Sequence, residues 1–304
     1  MSIYTVYIIV SFKNEQQTVD YIKRVFTQKC TPKRIIIVNN GASDDSSNYL
    51  CKSLDAIRIN DITDDKIKDN IVYVIHSSDN IGFARANNMG AEFARRMFNP
   101  QYFVFTNTDI YLTQDCVVDS LISKIREHPE VGIIGPKVIG LDGNQQSPEP
   151  YLPFWTRYVS KPLTSRLWSK AKRKKILKED YTENAKEGYV DKVMGSFFIV
   201  DAEAFFNCGM MDPNTFLYYE ELILSERMKS IGKCTYFYPE VTIIHEHGAT
   251  IKKYNSLIKM EKINFESAKY YYHTYRHTPL WEIYIGKLFY FFFWYLMFLK
   301  DKMK

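Results

Sequence analysis

The stretch IVYVIHSSDNIGFARANNMGAEFARRMFNPQYFVFTNTD, residues 71–109, contains a complete strand–helix–strand unit. Residues 71–75 and 102–106 are short apolar runs, as expected of strands that are buried on both faces. Residues 82–98, between them, have the pattern of a helix. Two parallel strands need a crossover of this kind, so the stretch predicts a parallel sheet covered by helices.

The same alternation extends toward the N-terminus. Residues 3–10 and 34–38 are further apolar, β-branched runs, and residues 16–28 have a helical apolar face. Repeated strand–helix units predict an α/β fold with a mostly parallel sheet and helices on both of its faces. Ligands of such sheets bind beyond the carboxyl ends of the strands, so the informative loops follow residues 10, 38, 75 and 106.

The second half of the chain continues this pattern less regularly. Residues 142–153 are rich in Gly, Pro, Asn and Gln and predict a loop. Helices are predicted at residues 113–127, 201–207 and 219–230, and strands at 131–135, 189–200, 234–238 and 241–244. We therefore expect one large α/β domain followed by a C-terminal appendage.

The overall composition is that of a globular protein. The chain has 304 residues, of which 46% are hydrophobic and 25% charged, and its formal net charge of +5 does not imply nucleic-acid binding. Its five cysteines are scattered, with neither a CxxC motif nor zinc-ligand spacing. Residues 3–10 lack the basic region and cleavage site of a signal peptide. These features predict a cytoplasmic protein in a reducing compartment.

Two segments of the sequence suggest contact with a membrane or another external partner. Residues 157–178 contain nine Lys or Arg and no acid, which fits either a solvated helix or a surface for anionic lipid headgroups or a pyrophosphate-linked acceptor. Residues 288–299 are free of charge, but this run is shorter than the roughly 20 residues that span a bilayer. We expect an interfacial helix at the inner face of the cell membrane. Burial against the domain or in a homodimer is the alternative.

The loop after the fourth strand carries the clearest chemistry. It reads Asn107-Thr108-Asp109, and a carboxylate at the end of a buried strand is costly unless it binds something. A hard divalent cation that bridges two phosphates is a natural partner, because it prefers oxygen ligands. Asn and Asp also end strands simply as turn formers, so the motif alone leaves both interpretations open.

Polar side chains also follow the second and third strands. Asn39 and Asp44 follow the second strand, where they fit either base and ribose recognition or a polar turn capped by Ser46. The loop after the third strand leads through Gly82 into a helix that carries Arg85, and a helix N-terminus of this kind suits phosphate.

Two motifs lie in the second half. Glu220 and Glu221 open an otherwise apolar helix, where they serve either as favourable charges at a helix N-terminus or as a general base. His245 and His247 form a His-x-His at a strand end. They are either structural or ligands of the same cation as Asp109.

Taken in order, these motifs resemble the large family of inverting GT-A glycosyltransferases that includes bacterial rhamnosyl- and galactofuranosyltransferases of surface polysaccharides. The resemblance covers residues 3–250. It is carried by Ser11-Phe12-Lys13-Asn14-Glu15, Val38 to Asp44, Asn80 to Gly90, Asn107-Thr108-Asp109, Gly195 to Ile199, Phe216 to Arg227, and Pro239, His245 and Gly248.

The resemblance implies a GT-A domain at residues 1–250, with a nucleotide-sugar half at about 1–135 and an acceptor half at about 136–250, followed by C-terminal helices at 251–304. It implies a UDP- or dTDP-sugar donor and a glycan or lipid-linked oligosaccharide acceptor. Glu221 is the implied base, with Glu220 beside it, and Mn²⁺ or Mg²⁺ is held by Asp109 and His245. The implied nucleotide-sugar contacts are Asn39, Asp44, Asn80, Arg85, Asn88, Asn107 and Asp109.

Three positions depart from the family pattern. Glu221 replaces an Asp, Ile223 replaces a second acid, and Asn39 stands where the family usually has Asp. A catalytically degenerate protein that binds a glycan or a partner is therefore the alternative function. A nucleotidyltransferase is disfavoured, because the loop at residues 11–15 lacks the glycine such enzymes usually carry there.

Overall fold

The computed structural model describes residues 5–28, 33–63, 69–164, 169–246 and 257–302. The strands are β1 Thr5–Ser11, β2 Lys33–Asn40, β3 Ile57–Ile59, β4 Val72–Ser77, β5 Tyr102–Thr106, β6 Ile110–Leu112, β7 Val131–Gly140, β8 Gly188–Val190, β9 Phe197–Asp201 and β10 Cys234–His245. The helices are α1 Glu15–Thr27, α2 Asp44–Leu54, α3 Phe83–Phe98, α4 Val117–Glu127, α5 Lys161–Thr164, α6 Lys170–Leu177, α7 Glu179–Glu183, α8 Ala202–Asn207, α9 Glu220–Ser230, α10 Leu257–Thr274 and α11 Leu280–Lys302. A π-helical turn, Thr156–Ser160, precedes α5.

All the described strands join one sheet in the order β3-β4-β2-β1-β5-β9-β7-β10-β6, with β8 added on β10. Neighbouring strands from β3 to β5 are parallel, as the strand–helix units predict. β9 lies antiparallel between β5 and β7. The predicted α/β fold with a mostly parallel sheet is confirmed.

Burial on both faces explains the continuous apolar strands. Along β1, Tyr7 and Ile9 pack into one hydrophobic cluster, and Val6 and Ile8 pack into a second cluster on the opposite face. Helix α3 lies close on this second face, since a Cβ on Gly90 would come within 2.8 Å of Ile8 Cγ2. A parallel sheet with helices on both faces needs apolar residues at every position of its central strands.

Four predicted boundaries beyond residue 110 were wrong, one of them the strand expected at residues 131–135, which extends to Gly140 as β7. The segment 189–200 is not one strand, because β8 pairs with β10 whereas β9 pairs with β5 and β7. The segment 234–245 is one strand, β10, with a register shift between Tyr238 and Thr242 where two strands were expected. Helix α4 begins at Val117 and not at residue 113, because residues 110–112 form β6, which pairs with β10.

The C-terminal helices build a third hydrophobic cluster. Phe265 and Tyr272 of α10 and Ile283 of α11 pack with Tyr158 of the π-helical turn and Tyr219, the residue just before α9. This cluster connects the C-terminal helices to the acidic helix α9. Across the described ranges, no helix combines the length and the apolar character needed to cross a membrane.

Candidate active site

The loops singled out in the sequence meet at one edge of the sheet. β1, β2, β4 and β5 are parallel neighbours, so their carboxyl ends lie together. The first and fourth of these loops contact each other directly, since Asn14 Nδ2 donates to Thr108 Oγ1 over 2.8 Å. The carboxyl edge therefore gathers the predicted polar residues, as parallel topology requires.

Asp109 and His245 lie side by side at this edge. The antiparallel pairing of β6 with β10 places His245 opposite Ile110, and Asp109 Oδ1 is 3.4 Å from His245 Nε2. The Asp109 carbonyl accepts a hydrogen bond of 2.9 Å from the Glu246 N–H. His245 is buried, and its Nδ1 is 2.7 Å from Gln146 Oε1. His247 lies outside the described residues.

The Asp109–His245 pair fits a divalent cation. Gln146 Oε1 can only accept, so His245 Nδ1 donates to it, and a neutral ring then presents the Nε2 lone pair toward the Asp109 carboxylate. Asp109 Oδ1 is buried and has no hydrogen-bond partner. Two acceptors in this position are stabilised by a cation between them, and metal–ligand bonds of about 2.1 Å allow their separation. Gln146 would orient the ligating imidazole.

Within the part of the chain that the structure describes, no three His, Cys, Asp or Glu side chains are grouped so that they could hold a metal ion. A cation held by Asp109 and His245 would therefore need further ligands from a diphosphate or from water. Mg²⁺ and related hard ions commonly bind in this way, with few protein carboxylates and with substrate phosphates completing the shell.

The loop from Asn107 to Asp109 is braced from two sides. The Asn107 N–H donates to the Ser196 carbonyl over 2.8 Å, which attaches the end of β5 to the residue before β9. From helix α1, Arg24 Nη2 lies 3.4 Å from the carbonyl oxygens of both Thr108 and Ile110. These contacts hold the Asp109 backbone in place.

The acidic helix α9 begins with a strained turn. Tyr218 and Tyr219, which immediately precede it, have φ values of 75° and 73°, in the left-handed region that is costly for non-glycine residues. Tyr219 is buried, and its hydroxyl is 2.6 Å from the Tyr158 hydroxyl. Packing of Tyr219 in the aromatic cluster maintains this conformation, and the turn fixes the direction in which Glu220 and Glu221 enter the helix.

Glu221 is directed at the carboxyl edge of the sheet. A Cβ built on Gly195 would lie 1.4 Å from Glu221 Oε1, so the carboxylate occupies the space that any side chain at residue 195 would take. The next residue, Ser196, is hydrogen-bonded through its carbonyl to Asn107. The tertiary structure thus places the Glu221 carboxylate against the residue before Ser196, whose carbonyl holds the loop that carries Asp109.

Glu220 is buried, and its Oε1 has no hydrogen-bond partner. Burial, and after it the charge of Glu221, raises the pKa of Glu220 to about 8. Burial also raises the pKa of Glu221, while the positive charge of Lys192 opposes that shift. Raised carboxyl pKa values move proton exchange toward neutral pH, where a general base works.

Two charged residues at this site carry no motif in the sequence. Lys192 Nζ lies 3.3 Å from Glu149 Oε2, and the Glu149 N–H donates to the Lys192 carbonyl over 3.3 Å. The Lys192 charge acts on both Glu220 and Glu221, and the Glu149 charge acts on Glu221. Glu149 lies between two prolines in a predicted loop, and Lys192 lies in a segment that was predicted to be a strand. Only their proximity to Glu220 and Glu221 in the folded protein identifies them as site residues.

Asn39 and Asp44 lie at the carboxyl end of β2. Asn39 is buried and donates from Nδ2 to the hydroxyls of Ser46 and Ser47 over 2.9 and 3.1 Å, while its Oδ1 has no partner. Asp44 is exposed, and its hydrogen bond with Arg58 lowers its pKa. Both side chains already have partners within the protein, and their contact with a nucleotide stays a prediction.

Asn80 fixes the loop that leads into α3. Its Oδ1 accepts hydrogen bonds from Asn40 Nδ2 over 2.9 Å and from the Gly82 N–H over 3.1 Å. The Asn40 Oδ1 accepts from the Ile81 N–H over 2.9 Å. The two amides thus join the loops after β2 and β4, and a role of Asn80 in donor binding stays a prediction.

Arg85 and Asn88 attach α3 to the chain that precedes α9. Arg85 Nε donates to the Pro213 carbonyl over 2.9 Å. The Asn88 amide donates to the Met211 carbonyl over 2.8 Å and accepts from the Met211 N–H over 3.1 Å. These contacts align the acidic helix with the sheet edge; a nucleotide contact of Arg85 or Asn88 is likewise still a prediction.

Comparison with known proteins bears on the fold and the family. The low-salt glycan biosynthesis hexosyltransferase Agl10 of Haloferax volcanii is 22% identical over 231 residues, which cover 75% of this chain and 63% of the relative. The chain thus spans somewhat less than two thirds of that relative's length.

Two solved structures share the fold. One is the mannosyltransferase PcManGT from Pyrobaculum calidifontis in complex with GDP-Man and Mn²⁺, with a TM-score of 0.52, 10% identity, and coverage of 81% of this chain and 58% of the other. The other is GalNAc-T7 with UDP, GalNAc and Mn²⁺, with a TM-score of 0.55, 15% identity, and coverage of 81% and 44%. The expected GT-A fold is confirmed. The family profile described as Glycosyl transferase family 2 matches residues 7–188, more than half of the chain, and the chain therefore belongs to Glycosyl transferase family 2.

Proposed function

We propose that this protein transfers a sugar, with inversion, from a nucleoside-diphosphate sugar to a hydroxyl group of a glycan or lipid-linked acceptor. The observation that carries the proposal is the position of Glu221. Its carboxylate lies against Gly195, one residue from the hydrogen bond between Ser196 and Asn107, at the edge where Asp109 and His245 converge. A base and a cation site on one sheet edge are what this reaction needs.

Asp109 and His245 would hold a Mn²⁺ or Mg²⁺ ion, with the donor diphosphate completing its coordination. When bound, the ion neutralises negative charge that develops on the departing nucleotide diphosphate. The two solved structures with this fold contain Mn²⁺ together with GDP-Man or with UDP, which supports a divalent ion and a nucleotide ligand here. A UDP- or dTDP-sugar is the proposed donor.

Glu221 accepts the proton of the acceptor hydroxyl as that oxygen attacks the anomeric carbon. The bond from this carbon to the diphosphate oxygen breaks on the opposite side, and the anomeric configuration inverts. Burial raises the pKa of Glu220 to about 8 and also raises that of Glu221, while the Lys192 charge favours the ionised form of both. Burial thus favours a proton on this pair near neutral pH, and the resemblance assigns the base to Glu221.

A protein that binds a glycan or a partner without catalysis is the second candidate. Ile223 favours this candidate. It occupies a position where the family usually has a second acid, and its side chain is completely buried in the third hydrophobic cluster. The resemblance also supports two finer parts of the proposal. These are the acceptor class and a role in bacterial surface polysaccharide synthesis.

The test starts with the intact chain and UDP-, dTDP- and GDP-sugars, each with and without Mn²⁺. We expect one donor to raise the melting temperature in a Mn²⁺-dependent manner, because ligand binding to the native state stabilises it. That donor should then release nucleotide in the presence of an acceptor. The Glu221→Gln variant should bind the donor like the wild type but turn over about 10²-fold more slowly or worse.

The matched control is Glu220→Gln, which replaces the neighbouring carboxyl and should affect turnover less. Donor binding without turnover across the acceptor panel would identify the binding protein. Turnover that survives in Glu221→Gln but is lost in Glu220→Gln would exchange the roles of the two residues. A product with retained configuration, by NMR of the anomeric proton, would contradict direct inversion.

A further inference from the structure

An open groove lies between helix α10 and the loop at residues 214–216, which leads toward the acidic helix α9. Its volume is about 500 Å³, within the range of about 300–1,000 Å³ that is usual for ligand sites. The residues on the α10 side are spaced three or four positions apart and so share one face of the helix. They include Lys262, Glu266, Lys269 and His273.

The groove follows α10 away from the acidic helix. Ser267 Oγ donates to the Leu217 carbonyl over 2.8 Å, and Asn214 Nδ2 donates to the Tyr270 hydroxyl over 3.1 Å. The chain that approaches α9 therefore runs antiparallel to α10, and the N-terminal half of α10 lies nearer to α9. From there the groove extends over about 16 Å toward the C-terminal end of α10.

The near end of the groove adjoins the candidate active site. The Phe216 carbonyl accepts a hydrogen bond of 2.9 Å from the first N–H of α3, and a Cβ on Gly82 would come within 3.1 Å of Phe216 Cδ2. Gly82 belongs to the loop after β4, one of those that meet at the carboxyl edge. Burial, and after it the charges of Glu261 and Glu220, raise the pKa of Tyr218. Tyr218 therefore lies between α10 and the start of the acidic helix.

One wall of the groove is held by a buried carboxylate. Asp212 Oδ2 accepts from the Tyr270 hydroxyl over 2.9 Å and lies 3.0 Å from Arg227 Nη2, and Asp212 is almost completely buried. Asp212 Oδ1 accepts from the Asn214 N–H over 3.0 Å. Tyr270 and Asn214 are thus fixed before any ligand arrives, which lowers the entropic cost of binding.

The lining has the chemistry that a saccharide requires. The Phe216 ring is 45% exposed and offers a flat apolar surface to the C–H face of a sugar ring. The ammonium, imidazole and carboxylate groups along α10 can donate to and accept from sugar hydroxyls. Glu266 lies 3.8 Å from Lys269 and 2.8 Å from Lys287, so positive charge at the groove is partly balanced. This balance favours a glycan over a polyanion, which binds where positive charge is in excess.

We propose that this groove binds the saccharide chain of the acceptor, beyond the sugar unit whose hydroxyl faces Glu221. The role of the bound glycan as an acceptor rests on the proposed transfer reaction, whereas the capacity of the groove to bind a glycan does not. The bound chain extends from α9 along α10. Its remote units supply binding energy that positions the reacting hydroxyl, so longer acceptors bind more tightly.

The first test measures glycan binding without any donor, so it does not need turnover. The intact chain, labelled with a fluorophore, is applied to an array of bacterial oligosaccharides of increasing length together with monosaccharides. We expect the chain to bind at least one oligosaccharide and no monosaccharide, because one sugar unit covers only part of a groove about 16 Å long.

Phe216→Ala should weaken the affinity for a bound oligosaccharide at least about 10-fold in calorimetry, because aromatic anchors dominate binding energies. The substitution keeps the backbone hydrogen bond to α3 and removes a half-exposed ring, so circular dichroism and the melting temperature should match those of the wild type. The matched control is Phe26→Ala, since Phe26 is 43% exposed but lies on α1. It should bind the oligosaccharide like the wild type.

Thr274→Trp is a second variant, which places a large side chain at the far end of the groove. It should weaken the binding of long oligosaccharides more than that of short ones. Binding of long and short oligosaccharides that Thr274→Trp leaves equal to the wild type would contradict a chain that extends along α10.

The outcomes separate the groove from the transfer reaction. An array on which the wild type binds no oligosaccharide, or equal affinities of Phe216→Ala and Phe26→Ala, overturns the proposal. In turnover assays, Phe216→Ala should raise KM for long acceptors more than for monosaccharide acceptors. An unchanged KM for long acceptors would keep the transfer reaction but overturn the groove. Oligosaccharide binding that Phe216→Ala weakens, without turnover of any donor, would support the groove and overturn the transfer reaction.

Discussion

Replacing Gly195 by alanine tests the position of Glu221 with a single methyl group. The new Cβ would lie 1.4 Å from Glu221 Oε1, whereas ordinary contact begins at about 3.4 Å, so the carboxylate must move by about 2 Å. Glu221 Cδ and Cγ would lie 2.3 and 2.7 Å from the new Cβ, so the side chain must rotate from Cβ outward; Gly195 is not among the residues with positive φ, so the fold should persist. A misplacement of about 1 Å can cost about 10²-fold in rate. We therefore expect Gly195→Ala to lower kcat at least 10²-fold.

The donor should bind Gly195→Ala as it binds the wild type, because Asp109 and His245 are unchanged. Combination with Glu221→Gln provides the control. If the methyl group acts through Glu221, the double variant should be no slower than Glu221→Gln alone, since contacting residues that act as a unit are not additive. Glu221→Asp offers a partial rescue: its carboxyl carbon would take the place of Glu221 Cγ, 2.7 Å from the new Cβ and not the 1.4 Å of Oε1, so the overlap is smaller and Gly195→Ala/Glu221→Asp should be faster than Gly195→Ala.

The assay is nucleotide release under saturating donor and acceptor, with isothermal titration calorimetry for donor affinity and circular dichroism for the fold. Full turnover in a folded Gly195→Ala would show that the Glu221 carboxylate is not positioned by this contact. A further loss of 10²-fold when Gly195→Ala is added to Glu221→Gln would show that the methyl group acts on something else.

Three further predictions concern the cation site, the buried carboxyl and the structural support of the site. Asp109→Ala should abolish Mn²⁺-dependent donor binding in calorimetry while leaving the melting temperature of the free protein nearly unchanged; unaltered Mn²⁺-dependent binding would contradict the cation assignment. Because the pKa of Glu220 rises from 4.5 to about 8 on folding, the folded state holds the proton between these values, and stability should fall as pH rises through this range, by at most about 5 kcal/mol. Glu220→Gln should reduce that decline to what the raised pKa of Glu221 alone leaves, in urea unfolding measured at pH 5 and pH 8.5, and an identical pH dependence in the variant would refute the shift. Asp212→Ala should cost about 3 kcal/mol in urea unfolding, because the buried Asp212 carboxylate pairs with Arg227 at 3.0 Å, and a loss below about 1 kcal/mol would show that the pair is dispensable.

Much of the parallel half of the fold could be predicted from local sequence. The runs at residues 34–38, 71–75 and 102–106 became β2, β4 and β5 with shifts of two residues or fewer at their ends. Burial on both faces of a parallel sheet leaves an unbroken apolar run, and that signal lies entirely within the strand. The same signal predicts that Asp109 follows the end of a strand, as it does after β5.

The antiparallel strand β9 and the long strand β10 could not be predicted in this way. Whether residues 189–200 form one strand or two depends on the strands with which each end of the segment pairs. Here β8 pairs with β10, whereas β9 pairs with β5 and β7. Strand direction and register are properties of pairs of distant segments, which no local periodicity encodes.

The sequence by itself determined which residue types are available for chemistry and where along the chain they stand: Asp109 after a strand, Glu220 and Glu221 at a helix start, His245 at another strand end. Only the tertiary structure decided that β10 brings His245 to Asp109, that Gly195 makes room for the Glu221 carboxylate, and that the charge of Lys192 acts on both glutamates. The physical reason is the separation along the chain over which each effect acts. Periodicity and capping act over a few neighbouring residues, whereas distances and pKa shifts arise from packing and burial among segments that are far apart in the chain.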